Sequence, residues 1–313
     1  MKRMGHPPRA PGKVSPYPRQ STLHRKDARW ALLFVAPTAL GLAVFCIWPT
    51  FQTFYYSFTT WGPFGGHDWS GLDNYRELFT DPELRNSLIS TAIFTIVTLL
   101  SVPIGMVVAV LLNRPGMRGL GLYRTIYFLP TVTLPASIAI MWKMLYNGDY
   151  GAINWALGLI HIHGTSWLAN PDTAIYAVAV VSVWGSIGYN MVLFIAGMQV
   201  IPRTLYEAAE LDGAGRVAQF RHITIPLLSP TIFFVTVITI IGALQAFDLV
   251  YMMIGKSNPA LAKSETVVFL FFHKAFLDSQ GGYAAAIAFL LLTIILVFTS
   301  IQFRMQKRWV HYE

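Results

Sequence analysis

The chain has 313 residues, of which 54% are apolar, 14% aromatic and only 12% charged. A soluble domain carries about twice that charged share, so the composition excludes a water-soluble globule and favours a membrane helix bundle. Net charge is +8, from 23 Lys and Arg against 15 Asp and Glu, and a single cysteine, Cys46, excludes an internal disulfide and any multi-cysteine metal site.

Residues 1–29 carry Lys2, Arg3, Arg9, Lys13, Arg19, Arg25, Lys26 and Arg29, with five prolines and one acid, Asp27. So little apolar surface cannot offset the entropy of ordering, and the segment reads as a disordered basic tail. Trp30 to Thr50 is an uncharged apolar run, too long for a signal-peptide core and followed by no small-residue cleavage site, so it reads as a retained first span. Five more runs follow: Leu88 to Leu112, Leu122 to Leu145, Thr173 to Met198, Thr231 to Ile254 and Tyr283 to Phe303. Each is long enough to cross about 30 Å of hydrocarbon, and backbone satisfaction in lipid requires helices, so the expected fold is all-α with six spans in residues 30–313. Pro37, Pro103, Pro130 and Pro135 fall inside these spans and predict kinks.

Seventeen of the 23 basic residues fall in the tail, in the Asn113 to Gly121 loop with Arg124 at its edge, in the 199–226 loop and at the C-terminus. Five fall on the opposite side, and Lys143 lies inside a span. The positive-inside rule then places both termini and the 199–226 loop in the cytoplasm. Topology explains the net charge, and nucleic acid binding is not needed.

Polar groups inside apolar spans are costly and mark cavities or partners. In the fourth span Ser182, Gly185, Ser186 and Tyr189 recur at three- and four-residue steps on one helix face, with Trp184 and Asn190 at its margins. In the fifth, Gln245 and Asp248 are three apart and are expected to share a face. These are the candidates for a polar path. The small residues read equally as tight helix packing, Asn190 as a bond to a neighbouring helix, and Asp248 as an ion-pair partner of Lys143.

Gly255-Lys256-Ser257 lacks the upstream glycine of a phosphate-binding loop, Val250 standing there instead, and His161 and His163 have no acid or cysteine at ligand spacing. No nucleophile with a base is evident, so the chain is expected to be a non-enzyme that binds no metal and no cofactor of its own.

The 199–226 loop reads as two short helices. Thr204 with Glu207 fits a capping box, Gly213 fits a left-handed terminator, Val217 to Ile223 suggests the second helix, and Pro226 marks the return to the membrane. Leu205, Tyr206 and Leu211 offer apolar surface, and Ala208 and Ala209 admit a close neighbour, which points to a partner.

The spacing Glu207-Ala208-Ala209, Gly213, Ile223, Ile225, Pro226 resembles the Glu-Ala-Ala signature of permease subunits of binding-protein-dependent ABC importers, in the sugar-importing group that includes maltose and glycerol-phosphate permeases. Ile225 stands where that family has leucine, a volume-conserving change. The resemblance extends to Gly71 to Tyr75, Arg124 to Pro130, Gly151 with Asn154, Phe247-Asp248 and Gly282 to Ala286. Where the family often has Thr-Gly-Gly-Gly-Pro, Ile254 to Pro259 departs from it.

This resemblance implies the type I importer permease fold in a bacterial or archaeal inner membrane, paired with a second permease. It implies that Glu207, Ala208, Ala209 and Gly213 dock on one of two cytoplasmic ATPase subunits, where ATP and Mg bind, and that an extracytoplasmic binding protein delivers a sugar-type solute. It places substrate contacts on the helix before the elbow and on the one carrying Phe-Asp, with Ser182, Trp184, Ser186, Tyr189, Asn190, Gln245 and Asp248 as candidates. The rival expectation is an ion-coupled secondary transporter with Asp248 as its coupling carboxylate.

Overall fold

The structure, a computed structural model, describes residues 25–62, 66–113 and 119–309. Most of the basic tail, together with Arg114 and Arg118, lies outside the described residues. The chain forms two compact units, Met1–Gln52 and Thr53–Glu313. Helix α1 (Arg25–Leu42) runs through Pro37 into a π-turn (Ala43–Ile47) and continues as α2 (Trp48–Tyr56). Helix therefore begins inside the expected tail, at Arg25, and outlasts the expected first span.

The second unit starts with a hairpin, β1 (Thr59–Trp61) paired antiparallel with β2 (His67–Trp69), the β structure among the described residues. Asn74, in α3 (Asp73–Thr80), fixes it by donating from Nδ2 to the carbonyls of Ser57 and Thr59, at 2.9 and 3.0 Å. Helix α4 (Pro82–Thr98) starts with Pro82 at its first position and Asp81 accepting from the Glu83 amide. It turns at Leu99 and Leu100 into α5 (Ser101–Leu112). Pro103 has no N–H for the Leu99 carbonyl, which accepts from the Val102 amide instead, so the hydrogen-bond pattern is interrupted one turn before the proline within a helical run that continues from Pro82 to Leu112.

The third expected span is not one helix. Helices α6 (Leu120–Val132) and α7 (Pro135–Leu145) meet at 100°. Pro135 forces Leu134 out of the helical region to ψ 132°, whereas Pro130 stays inside α6. After α8 (Ala152–Leu159), the long α9 (Ala174–Gln199) matches the fourth expected span. The elbow follows as α10 (Arg203–Leu211), α11 (Arg216–Gln219), a π-turn (Phe220–Thr224) and α12 (Ile225–Leu227).

The fifth span is likewise broken. Helix α13 (Ser229–Leu244) leaves the elbow at a 68° bend, and α14 (Asp248–Ile254) restarts after a gap at Gln245–Phe247. Between it and α17 (Gly281–Trp309) lie α15 (Leu261–Ser264) and α16 (Val267–Phe272), the latter extended by a π-turn (His273–Leu277). By length and composition, four helical runs can cross a membrane, and six if each bent pair is one span.

Helix α9 is the axis of the second unit, packed against α4, α5 and α6. Near the elbow its Met191, Phe194 and Ile195 meet Ala109, Leu112, Leu228 and Val235; at the other end Ala177, Val178 and Val181 meet Ala139, Val250, Met253 and Phe269. Glycine sets the closest approaches: a Cβ at Gly105 would lie 2.7 Å from that of Asn190. In the segment between α14 and α17, burial pushes the Glu265 carboxyl above the usual carboxylate range, against the opposing pull of His273 at 3.2 Å. Lys274 beside it pairs with Glu83 at 2.7 Å and Asp278 at 3.3 Å.

Candidate functional site

Two sites emerge: a cavity among the helices and the elbow at their end. The cavity, about 460 Å3, lies between α4, α6, α9, α13 and α14. Ser182, Ser186, Tyr189, Asn190, Gln245 and Asp248 all line it, together with Gly185. Ser186 donates to the Ser182 carbonyl at 2.8 Å, the usual way a helix satisfies a hydroxyl. Asn190 is 2% exposed and donates from Nδ2 to Ser101 Oγ at 3.0 Å, so its amide ties α9 to α5 while its side chain closes the cavity wall.

Trp184 is not in that wall. It packs edge-to-face on Trp142, with ring centroids 5.6 Å apart, because the helix turns it away from the serine face. Gln245 and Asp248 reach the cavity by a route other than a shared helix face. Gln245 ends α13 and Asp248 opens α14, where a carboxylate complements the positive helix start. Nothing in Gln245-Ala246-Phe247 signals the break; Thr266 Oγ1, at 2.7 Å, donates to the Ala246 carbonyl that the interrupted helix leaves free. Asp248 and Lys143 form no ion pair.

Further wall comes from residues that patterning did not single out: Phe94 and Thr98 of α4, Thr131 and Thr133 around the α6–α7 bend, and Thr239 and Gly242 of α13. A signal did exist in α4. Ser87, Thr91, Thr95 and Thr98 recur at helical spacing and all are buried.

The elbow starts two residues earlier than a capping box at Thr204 requires. Pro202, extended at ψ 130°, is the cap and supplies no side-chain bond, so Thr204 lies within the helix and cannot reach back. The terminator is as expected. Gly213 has φ +80°, its amide donates to Glu210, and the Ala214 amide donates to Ala209 at 2.8 Å, the paired bonds of a Schellman stop.

The Glu207 side chain is exposed and makes no hydrogen bond or ion pair among the described residues; Ala208 and Gly213 are exposed, and Ala209 is half-buried. Leu205 and Leu211 also face outward, Leu211 at 91% exposure, but Tyr206 turns in. Tyr206 packs with Ile201, Ile223 and Leu228 in the α5–α9–α13 core, and its hydroxyl meets Thr224 Oγ1 at 3.0 Å. The elbow is thus welded to the long helices on one side and bare on the other.

The sequence model of a family described as binding-protein-dependent transport system inner membrane component matches residues 80–311. The chain is 35% identical over 302 residues to the probable ABC transporter permease protein YesP of Bacillus subtilis, covering 94% of this chain and 96% of that protein. It is 33% identical over 285 residues to the sn-glycerol-3-phosphate transport system permease protein UgpA of Agrobacterium fabrum, covering 90% and 95%. Among solved structures it is similar to a chain of a bacterial ABC transporter involved in the import of the acidic polysaccharide alginate, with TM-score 0.79, 20% identity and coverage of 91% and 97%. A second structure, of a bacterial alginate ABC transporter in complex with an alginate pentasaccharide-bound periplasmic protein, gives TM-score 0.80 at 20% identity, with coverage of 91% and 96%. At that identity the likeness carries the fold.

Proposed function

The chain belongs to the family of binding-protein-dependent transport system inner membrane components, and on that premise we propose that it is the non-catalytic permease subunit of an ATP-driven importer of a sugar or sugar-derived solute. It spans the inner membrane six times with both termini inside, and pairs with a second permease to enclose the path. Two cytoplasmic ATPase subunits, which hold the ATP and Mg, dock on the two elbows, and an extracytoplasmic binding protein delivers the solute. The sugar class is supported by the named substrate of the glycerol-phosphate relatives and by the hydroxyl-, amide- and carboxylate-bearing cavity wall.

One observation carries the coupling role: the elbow presents Glu207, Ala208, Gly213, Leu205 and Leu211 outward while Tyr206 anchors it in the core of the long helices. A force on the bare face is passed to α9 and α13 without an intervening flexible segment. Moving a gate from 1:99 to 99:1 takes about 5.5 kcal/mol of differential binding, a demand that closure of two nucleotide-bound subunits meets. The ion-coupled alternative loses its support with the family assignment.

The test is uptake by vesicles containing the assembled complex and binding protein. Accumulation is expected with internal ATP, to be blocked by vanadate and to persist when ionophores collapse proton and sodium gradients. Uptake that follows those gradients and ignores ATP would overturn the proposal.

A further inference from the structure

We infer that Thr98 is a solute-contacting residue that sets hydroxyl specificity in the cavity; the inference rests on the transport reading above and adds a contact on α4 to the polar residues of α9 and α14 that line the same cavity. Thr98 is 3% exposed and lies in the cavity wall beside Phe94, yet its Oγ1 is enclosed by protein with no hydrogen-bond partner. Buried hydroxyls in native proteins have partners, so one without is a position awaiting a partner from outside the chain.

The ordinary escape is closed to neither sequence nor geometry in general. Thr95 donates to the Thr91 carbonyl, Thr125 to Gly121, Thr133 to Leu129 and Thr293 to Phe289, each four residues back. Thr98, at the last turn of α4, does not take that bond. Ser101, three residues on at the start of α5, is already engaged by Asn190. A threonine hydroxyl and methyl share one carbon, so a turn about χ1 exchanges their places without moving the backbone.

A hydroxyl that both donates and accepts fits a sugar hydroxyl. In the same cavity wall, the Ser182 hydroxyl, the Gln245 amide and the Asp248 carboxylate supply further hydrogen-bonding partners. Thr98 would therefore read one hydroxyl of the solute from α4. A site built to bond a substrate hydroxyl rejects the analogue that lacks it, because the site's own group is then left unpaired.

The experiment measures initial uptake by the assembled transporter in vesicles, with radiolabelled glucose, maltose and sn-glycerol 3-phosphate as probes, followed by the monodeoxy analogues of whichever is carried. Thr98→Val is expected to lower uptake of the parent solute about five- to tenfold, the scale of one lost hydrogen bond. One deoxy analogue should be carried equally by the wild type and the variant, and Thr98→Ser should restore the wild-type preference. Thr98→Ala repeats the comparison if the valine variant fails to insert. Unchanged uptake in both variants, or an equal fall for the parent and every analogue, would overturn the inference and leave Thr98 a packing residue. If the wild type carries none of the probes, the sugar reading fails first and the specificity role falls with it.

Discussion

Replacing Glu207 by lysine is expected to leave the chain in the membrane and abolish its co-purification with the ATPase subunit. The carboxylate is exposed and unpaired among the described residues, so no described contact of the fold depends on it. Under the proposed docking it becomes covered and paired. Losing one partner of a desolvated charge pair costs about 2–5 kcal/mol, or roughly thirtyfold or more in affinity, and reversing its sign adds repulsion. Thermal unfolding of the purified chain should stay within about 0.5 kcal/mol of wild type, as for surface substitutions in general. Normal co-purification would remove Glu207 from the joint.

The largest effect on folding is expected from Gly188→Val. A Cβ there would collide with the Tyr127 carbonyl and lie 2.8 Å from Phe128 Cα, and both obstacles are backbone in α6 that cannot swing aside. The glycine is what lets α6 and α9 touch. Overpacking at such a contact costs about 3 kcal/mol, and separating α6 from α9 would also open the cavity wall at Thr131, which donates to the Gly185 carbonyl at 3.3 Å. A fall in folded yield and melting temperature in detergent is the readout. Gly185→Ala serves as the control, since nothing lies within 4 Å of the added atom.

Patterning along the chain made most of the architecture legible, because apolar runs of span length leave few alternatives once lipid forbids unpaired backbone. The breaks were harder. Pro135 announced a disturbance, but a reversal of 100° depends on where α6 and α7 find packing partners, chiefly α9 and α14. The gap at Gln245–Phe247 carries no proline or glycine, and the Thr266 hydroxyl that supports it comes from twenty residues downstream.

The same limit governs the sites. Ser182, Ser186, Tyr189 and Asn190 were readable because α9 is regular, so three- and four-residue steps translate directly into one wall. Trp184, expected at the margin of that face, packs on Trp142 because its step belongs to the adjacent face. Gln245 and Asp248 reach the cavity although the helix assumed to align them is absent. At the elbow, Gly213 was readable because only a left-handed position ends the helix there, whereas the capping box failed because Pro202 fixed the cap upstream.

Coupling through the elbow is tested most directly by covalent capture. A photoactivatable cross-linker attached at Ala208→Cys, in a Cys46→Ser background, samples what covers the exposed face of α10 in the assembled, transport-active complex. The expected product is an adduct between this chain and the nucleotide-hydrolysing subunit, formed in the membrane and lost when that subunit is omitted. A complex that still transports, carries the probe at residue 208 and yields no such adduct would show that motion enters these helices elsewhere.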